Sequence, residues 1–265
     1  MSLKDKETEK LKRKLIGQYK IQEGFIDRLR YEYDYIFKKI DRHPFLVEIE
    51  KGKLPLEKYK TYAIQNYFYF NEWFRCCGAA ASRATTISET LMYKKWMTDT
   101  NPEYEKYVAL IKQVGISNEQ LAQVELDPAV PLPAARAYVD YQFKIYSTAS
   151  AGEMAAAILP CAWSYSPRQI GGVECPLRVG KGLADHYGID REIAVDYGKY
   201  SSHRPHFELL ISLKKSIEEE VKNGKPGVAK RIRDIFRRCS EYEYMWWDLA
   251  YRHDLEKERE IGSYF

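Results

Sequence analysis

With 265 residues, 45% hydrophobic and 30% charged, the chain has the composition of an ordinary globular protein with ample core. The net charge of +4 comes from bases interspersed with acids and argues against a nucleic-acid partner, leaving only the locally basic segment 225–238 as a place to look for one. No apolar run nears the roughly 18 residues of a membrane span, the charged start lacks a secretory core, and the irregular Cys76, Cys77, Cys161, Cys175 and Cys239 are expected to be reduced thiols in the cytoplasm.

Residues 1–24 read as a charged extension and 25–265 as a single helical domain. Phe25, Ile26, Leu29, Tyr33, Ile36, Phe37 and Ile40 recur at helical spacing until Pro44 opens a short new helix. Gly52 and Pro55 end that one and begin the next. Within 56–84, Tyr59, Tyr62, Asn66, Tyr69 and Trp73 form an aromatic stripe with one amide in it. Asn66 is therefore expected to be buried and to need partners, either a neighbouring helix or a ligand. Two helices, 85–96 and 102–114, are expected on either side of a break at 98–101. Gly115 suits a C-cap, and Ser117 with Gln120 a capping box.

After a proline-rich loop at 126–133, residues 134–148 are helical, with Tyr138, Tyr141 and Ile145 on one face. The segment 153–165 carries a proline inside a helical run. Pro160 removes one backbone hydrogen bond and predicts a kink. Cys161 and Tyr165 follow on one face, as a thiol and a phenol lining a cavity would, although a cysteine on a core helix can also be a plain small hydrophobe. The glycine-rich stretch 166–182 reads as a loop, either a lid or an oligomer contact, and lacks the spacing of a phosphate cradle. Helices resume at 190–200, 205–222 and 228–253. In the last, Phe236, Cys239, Glu243, Trp246 and Ala250 share a stripe, so Glu243 is expected to be buried with a raised pKa. No segment reads as a strand, so the fold class is all-α. Tyrosines outnumber phenylalanines 22 to 10, which suits apolar walls with hydroxyls around a flat aromatic ligand.

Several motifs in order resemble one family. They are HPF at 43–45 with GKLP behind it, IQNYFYF at 64–70, AYVDY at 137–141, LPCAWSY at 159–165 and YEYMWWDLAYR at 242–252. Over about 25–253 the chain is similar to the TenA proteins (thiaminase II, aminopyrimidine aminohydrolase). The resemblance implies a haem-oxygenase-like multi-helix bundle, a homotetramer, no cofactor and no metal. It implies a thiamine-salvage hydrolase cleaving a C–N bond in an aminomethyl-pyrimidine or thiamine. Cys161 would be the nucleophile and Glu243 the proton donor and acceptor, with Asn66, Tyr69, Tyr138, Tyr165 and Tyr200 around the pyrimidine. Tyr197 competes with Tyr200 for the last role. Tyr165, Glu243 and the kinked helix would activate the thiol. Asn66 departs from the pattern, which has an aspartate there. An amide can accept a hydrogen bond but carries no charge, so a non-catalytic pyrimidine-binding protein is the alternative. A di-iron oxygenase on the same fold would need facing carboxylates and histidines. The histidines at 43, 186, 203, 206 and 253 show no such spacing on a long helix, leaving only His203 and His206 as a conceivable metal pair.

Overall fold

The computed structural model describes residues 24–127, 130–199 and 204–253. The 1–24 extension therefore lies outside the described residues except for Gly24, and so do Tyr200 and His203. Every regular element among the described residues is helical. The first apolar run forms two short helices, α1 (Phe25–Glu32) and α2 (Asp34–Asp41), separated at Tyr33. His43 caps α3 (Pro44–Glu50): its Nδ1 accepts from the Phe45 backbone N–H at 3.2 Å. That leaves Nε2 to donate to Asp248 Oδ1 at 3.0 Å, so a 1% exposed histidine ties the start of the chain to its end.

The long helices α4 (Leu56–Arg83) and α5 (Ile87–Gln113) pack against each other, with α6 (Asn118–Leu126) and α7 (Pro133–Thr148) also resting on α4. The break expected at 98–101 does not occur, and α5 runs through Pro102. A proline removes one hydrogen bond, and here the turn before it is held from the side. Thr100 Oγ1 donates to Trp96 O at 2.9 Å and accepts from Trp73 Nε1 of α4 at 3.3 Å. Packing against α4 keeps together what the proline alone would have split.

Helix α8 (Ala151–Tyr165) starts at a Ser150–Glu153 capping box and also runs unbroken through its proline. Among the carbonyls near Pro160, Ala157 O accepts from Gln142 Nε2 of α7 at 3.1 Å. Ala155, Ala156 and Ala157 have no exposed surface. Such small side chains let helices pack closely on both sides. These neighbours are α11 (Arg204–Asn223) and α12 (Val228–Tyr251), which make the most extensive contacts of α8.

The stretch read as a loop is largely folded. A 3-10 turn at Arg168–Ile170 leads to α9 (Cys175–His186), which packs on α10 (Arg191–Lys199). Its glycines serve close packing and not mobility. A Cβ on Gly180 would stand 2.2 Å from Ala194 O, and one on Gly182 would stand 2.5 Å from Ile49 O. The connection to α8 is sewn down as well: Trp163 Nε1 donates to Ile170 O at 2.9 Å, and Arg30 Nη2 donates to Gly171 O at 2.6 Å. In the basic segment, Arg231, Arg233 and Arg237 pair with Glu153, Glu32 and Glu241, so much of its charge is already matched. No helix among the described residues is long and apolar enough to cross a membrane.

Two glycine substitutions test this packing in opposite directions. Gly180→Ala drives a methyl into the backbone of α10 and is expected to destabilise by about 2–3 kcal/mol. Gly78→Ala, on an exposed face of α4 with nothing within 4 Å, should stabilise by ~0.5–1 kcal/mol. Urea unfolding of both variants measures the pair of signs.

Candidate active site

Four helices enclose a cavity with about 500 Å³ of non-atom space, counting its mouth. Asn66, Tyr69, Phe70 and Trp73 come from α4, and Thr100 and Glu103 from α5. Cys161, Ala162 and Tyr165 come from α8, and His206 and Leu209 from α11. The wall is mostly apolar with a few convergent polar groups, the usual make-up of a small-molecule site. All five cysteines are free, and Cys161 is the one that is not fully buried.

The expected thiol and carboxyl meet here. Glu243, 5% exposed on α12, accepts from Tyr138 Oη at 2.8 Å and lies close enough to Cys161 for each group to shift the other's titration. A second chain of bonds approaches the sulfur from the other side. Gln142 Nε2 donates to Tyr69 Oη at 3.2 Å, and the Tyr69 hydroxyl faces Cys161 closely enough to favour its thiolate. Gln142 thus aims the phenol. Tyr138 is not part of the cavity wall. It stands behind Glu243, stacked on Tyr242 at 5.0 Å, and holds the carboxyl. Tyr165 lines the cavity, and its hydroxyl lies 3.0 Å from that of Tyr62. Tyr62 is itself stacked on Trp247 at 4.9 Å.

The electrostatics reverse one expectation. The thiol is not activated at rest: burial pushes Cys161 well up, Glu243 adds to the rise, and the Tyr69 hydrogen bond opposes it only in part. Burial also pushes Glu243 up to about 7, against the pull of the Tyr138 and Cys161 hydrogen bonds. At neutral pH the thiol therefore keeps its proton while the carboxyl beside it is poised between its two forms.

Asn66 is 3% exposed, as expected, but its Nδ2 finds no partner. An orphaned donor in a cavity wall is a group awaiting a ligand. Tyr197 is buried with an unpartnered hydroxyl of its own. Of the wall residues, Glu103 escaped the sequence reading, and His206 was named there only as half of a conceivable metal pair. Glu103 follows Pro102, where a break was expected, so its face could not be assigned. His206 sits 3.0 Å from Ser166 Oγ with its pKa pushed down to about 4 by burial, so it is neutral. Among the described residues no three His, Cys, Asp or Glu side chains gather in a metal-binding arrangement.

The fold and this pocket together define a helical protein of the haem-oxygenase-like class. The chain belongs to the TENA/THI-4/PQQC family, whose sequence model matches residues 27–253. It is 28% identical over 216 residues to an aminopyrimidine aminohydrolase of Halalkalibacterium halodurans, covering 80% of this chain and 89% of the relative. A solved TenA homologue from P. horikoshii superimposes with a TM-score of 0.68 at 28% identity, covering 86% of this chain and 99% of that one. A Shewanella denitrificans domain with a heme oxygenase-like fold gives a TM-score of 0.65 at 12% identity, covering 88% and 92%.

The raised Glu243 makes stability depend on pH. Its folded value of about 7 exceeds the ordinary 4.5, so the protonated form is favoured in the fold. Its contribution is complete below pH 4.5 and is lost as pH rises through 7, by on the order of 3 kcal/mol. Wild-type unfolding free energy should therefore fall between pH 4.5 and 8 relative to Glu243→Gln, which cannot ionise; urea titrations at both ends measure the difference.

Proposed function

We propose that the protein is an aminopyrimidine hydrolase acting on the C–N bond of an aminomethyl-pyrimidine, the thiol of Cys161 forming the covalent bond. The observation that carries this reading is Cys161 in the wall of a cavity that also presents the unpaired amide of Asn66, with the Glu243 carboxyl interacting with that thiol from behind the wall. An electron-poor ring between Tyr69 and Tyr165 brings acceptor nitrogens and an exocyclic amine, which an amide can match through its N–H or its oxygen. Tyr200, outside the described residues, is proposed as a further tyrosine of the pocket on the family resemblance alone. A tetramer in the cytoplasm is proposed on the same ground.

The chemistry follows from one shared proton. Glu243 takes the proton of the Cys161 thiol, and the sulfur adds to the pyrimidine ring. The electron pair that this addition places in the ring expels the amine as the C–N bond breaks, and Glu243 returns the proton to the departing nitrogen. Water then bonds to the methylene carbon and gives its proton to Glu243. Finally the carbon–sulfur bond breaks and the sulfur recovers its proton. Burial keeps the thiol neutral until ligand arrives, so the nucleophile forms only when Glu243 can accept.

Replacing Cys161 by Ser preserves shape and hydrogen bonding. Cys161→Ser is expected to keep the fold and lower hydrolysis of aminomethylpyrimidine by at least ~1000-fold. Full activity in that variant would reject the covalent route. Asn66 favours a second reading, in which the pocket binds a pyrimidine without turning it over. Calorimetry beside a product assay separates the two: tight binding with no product supports the second, and recovery of turnover in Asn66→Asp would assign the loss to the missing charge.

A further inference from the structure

The cavity contains an acidic group that the thiol–carboxyl chemistry does not use. Glu103 lies on α5, on the wall opened by the turn around Pro102. Among the described residues no side chain pairs with it, and burial alone accounts for its pKa being pushed up to about 8. Part of its surface stays open to the cavity, while the surrounding helices shield the carboxyl from bulk water. Among the described residues the wall carries no lysine or arginine, and His206 is neutral. Lys106, the next cation along α5, is engaged with Asp196. A shielded carboxyl without a cation is normally matched by something.

The position is informative as well. The charge of Glu103 is felt by Cys161 on one side and by the buried Tyr197 on the other. It therefore shares the cavity wall with the reacting sulfur, while Glu243 influences the same sulfur from α12. Asn66, on the same wall, offers an unpaired N–H but no charge. Of the groups lining the cavity, Glu103 is the one able to neutralise a positive charge on a ligand.

We infer that Glu103 is a specificity-determining residue that binds the ammonium of an aromatic methylammonium substrate and so discriminates it from the corresponding neutral alcohol. The inference rests on the aminopyrimidine reading for the identity of the ring, but the charge selectivity belongs to the wall and can be tested apart from turnover. A charge-assisted hydrogen bond in a shielded site gives the ammonium the advantage, and the alcohol released by hydrolysis loses it. Substrate would then be held more tightly than product by the group that changes between them.

The test uses the full chain and two matched pairs of probes: aminomethylpyrimidine with hydroxymethylpyrimidine, and benzylammonium with benzyl alcohol. In the wild type each ammonium is expected to bind at least tenfold more tightly than its alcohol. In Glu103→Gln that preference should vanish, with the KM for aminomethylpyrimidine raised about tenfold, the alcohols unchanged within twofold and kcat changed less than KM. Glu103→Asp should keep part of the preference, which a merely structural role would not predict. Equal binding of ammonium and alcohol by the wild type overturns the inference, as does an undiminished preference in Glu103→Gln or a lack of binding by every probe. If only the benzyl pair shows the preference and the pyrimidine is never turned over, Glu103 stands and the hydrolase reading falls.

Discussion

A carboxyl group and a thiol buried side by side, with no cation to steady them, are what the rest of this structure is arranged around. An ionised carboxylate in such surroundings is costly, so the group holds its proton to about neutrality. The neighbouring sulfur is driven up for the same reason and by the same neighbour. Such a pair stays together only if each lone pair and proton has a place to go. Tyr138 supplies one hydrogen bond to Glu243 and Tyr69 another to Cys161, and Gln142 fixes the second phenol. Four helices contribute to this one chain of bonds, so the pair and the bundle specify each other.

Helix α8 makes that convergence possible. Its run of alanines lets α11 and α12 come close, and its last turns present Cys161 and Tyr165 to the cavity. The proline between those two jobs does not break the helix. On the far side, α9 and α10 close up through glycines where any side chain would strike backbone. Rigid support of this kind suits a site that depends on hydrogen-bond geometry within a few tenths of an ångström.

Two acids, one in the cavity wall and one behind it, have different work. Glu243 is tied to Tyr138 behind the thiol, whereas Glu103 has no partner among the described residues and lies in the cavity wall. Their environments raise both pKa values, yet only Glu243 has protein partners that also hold its position. The sequence exposes Glu243 because a carboxyl on an apolar stripe is conspicuous. Glu103 escapes notice because a break was expected just before it, although in the unbroken helix it falls on the stripe of Trp96, Thr100, Tyr107 and Leu110.

Periodicity alone determined the all-α class, the course of the long helices and the inward aromatic stripes, because helical spacing is a local property that burial then rewards. Asn66, Glu243 and Cys161 were legible as inward-facing oddities for the same reason. Tertiary structure decided the rest. Whether Pro102 broke a helix depended on Trp73 and Thr100 across a helix interface. Whether the 166–182 stretch was loop or helix depended on backbones that its glycines could touch. Tyr138 lies behind Glu243 and not in the wall, because its direction is set by which helix receives it. The mutual influence of Cys161 and Glu243, and the place of Glu103 in the cavity wall, arise from distances between segments far apart in the chain, and such distances have no local signature.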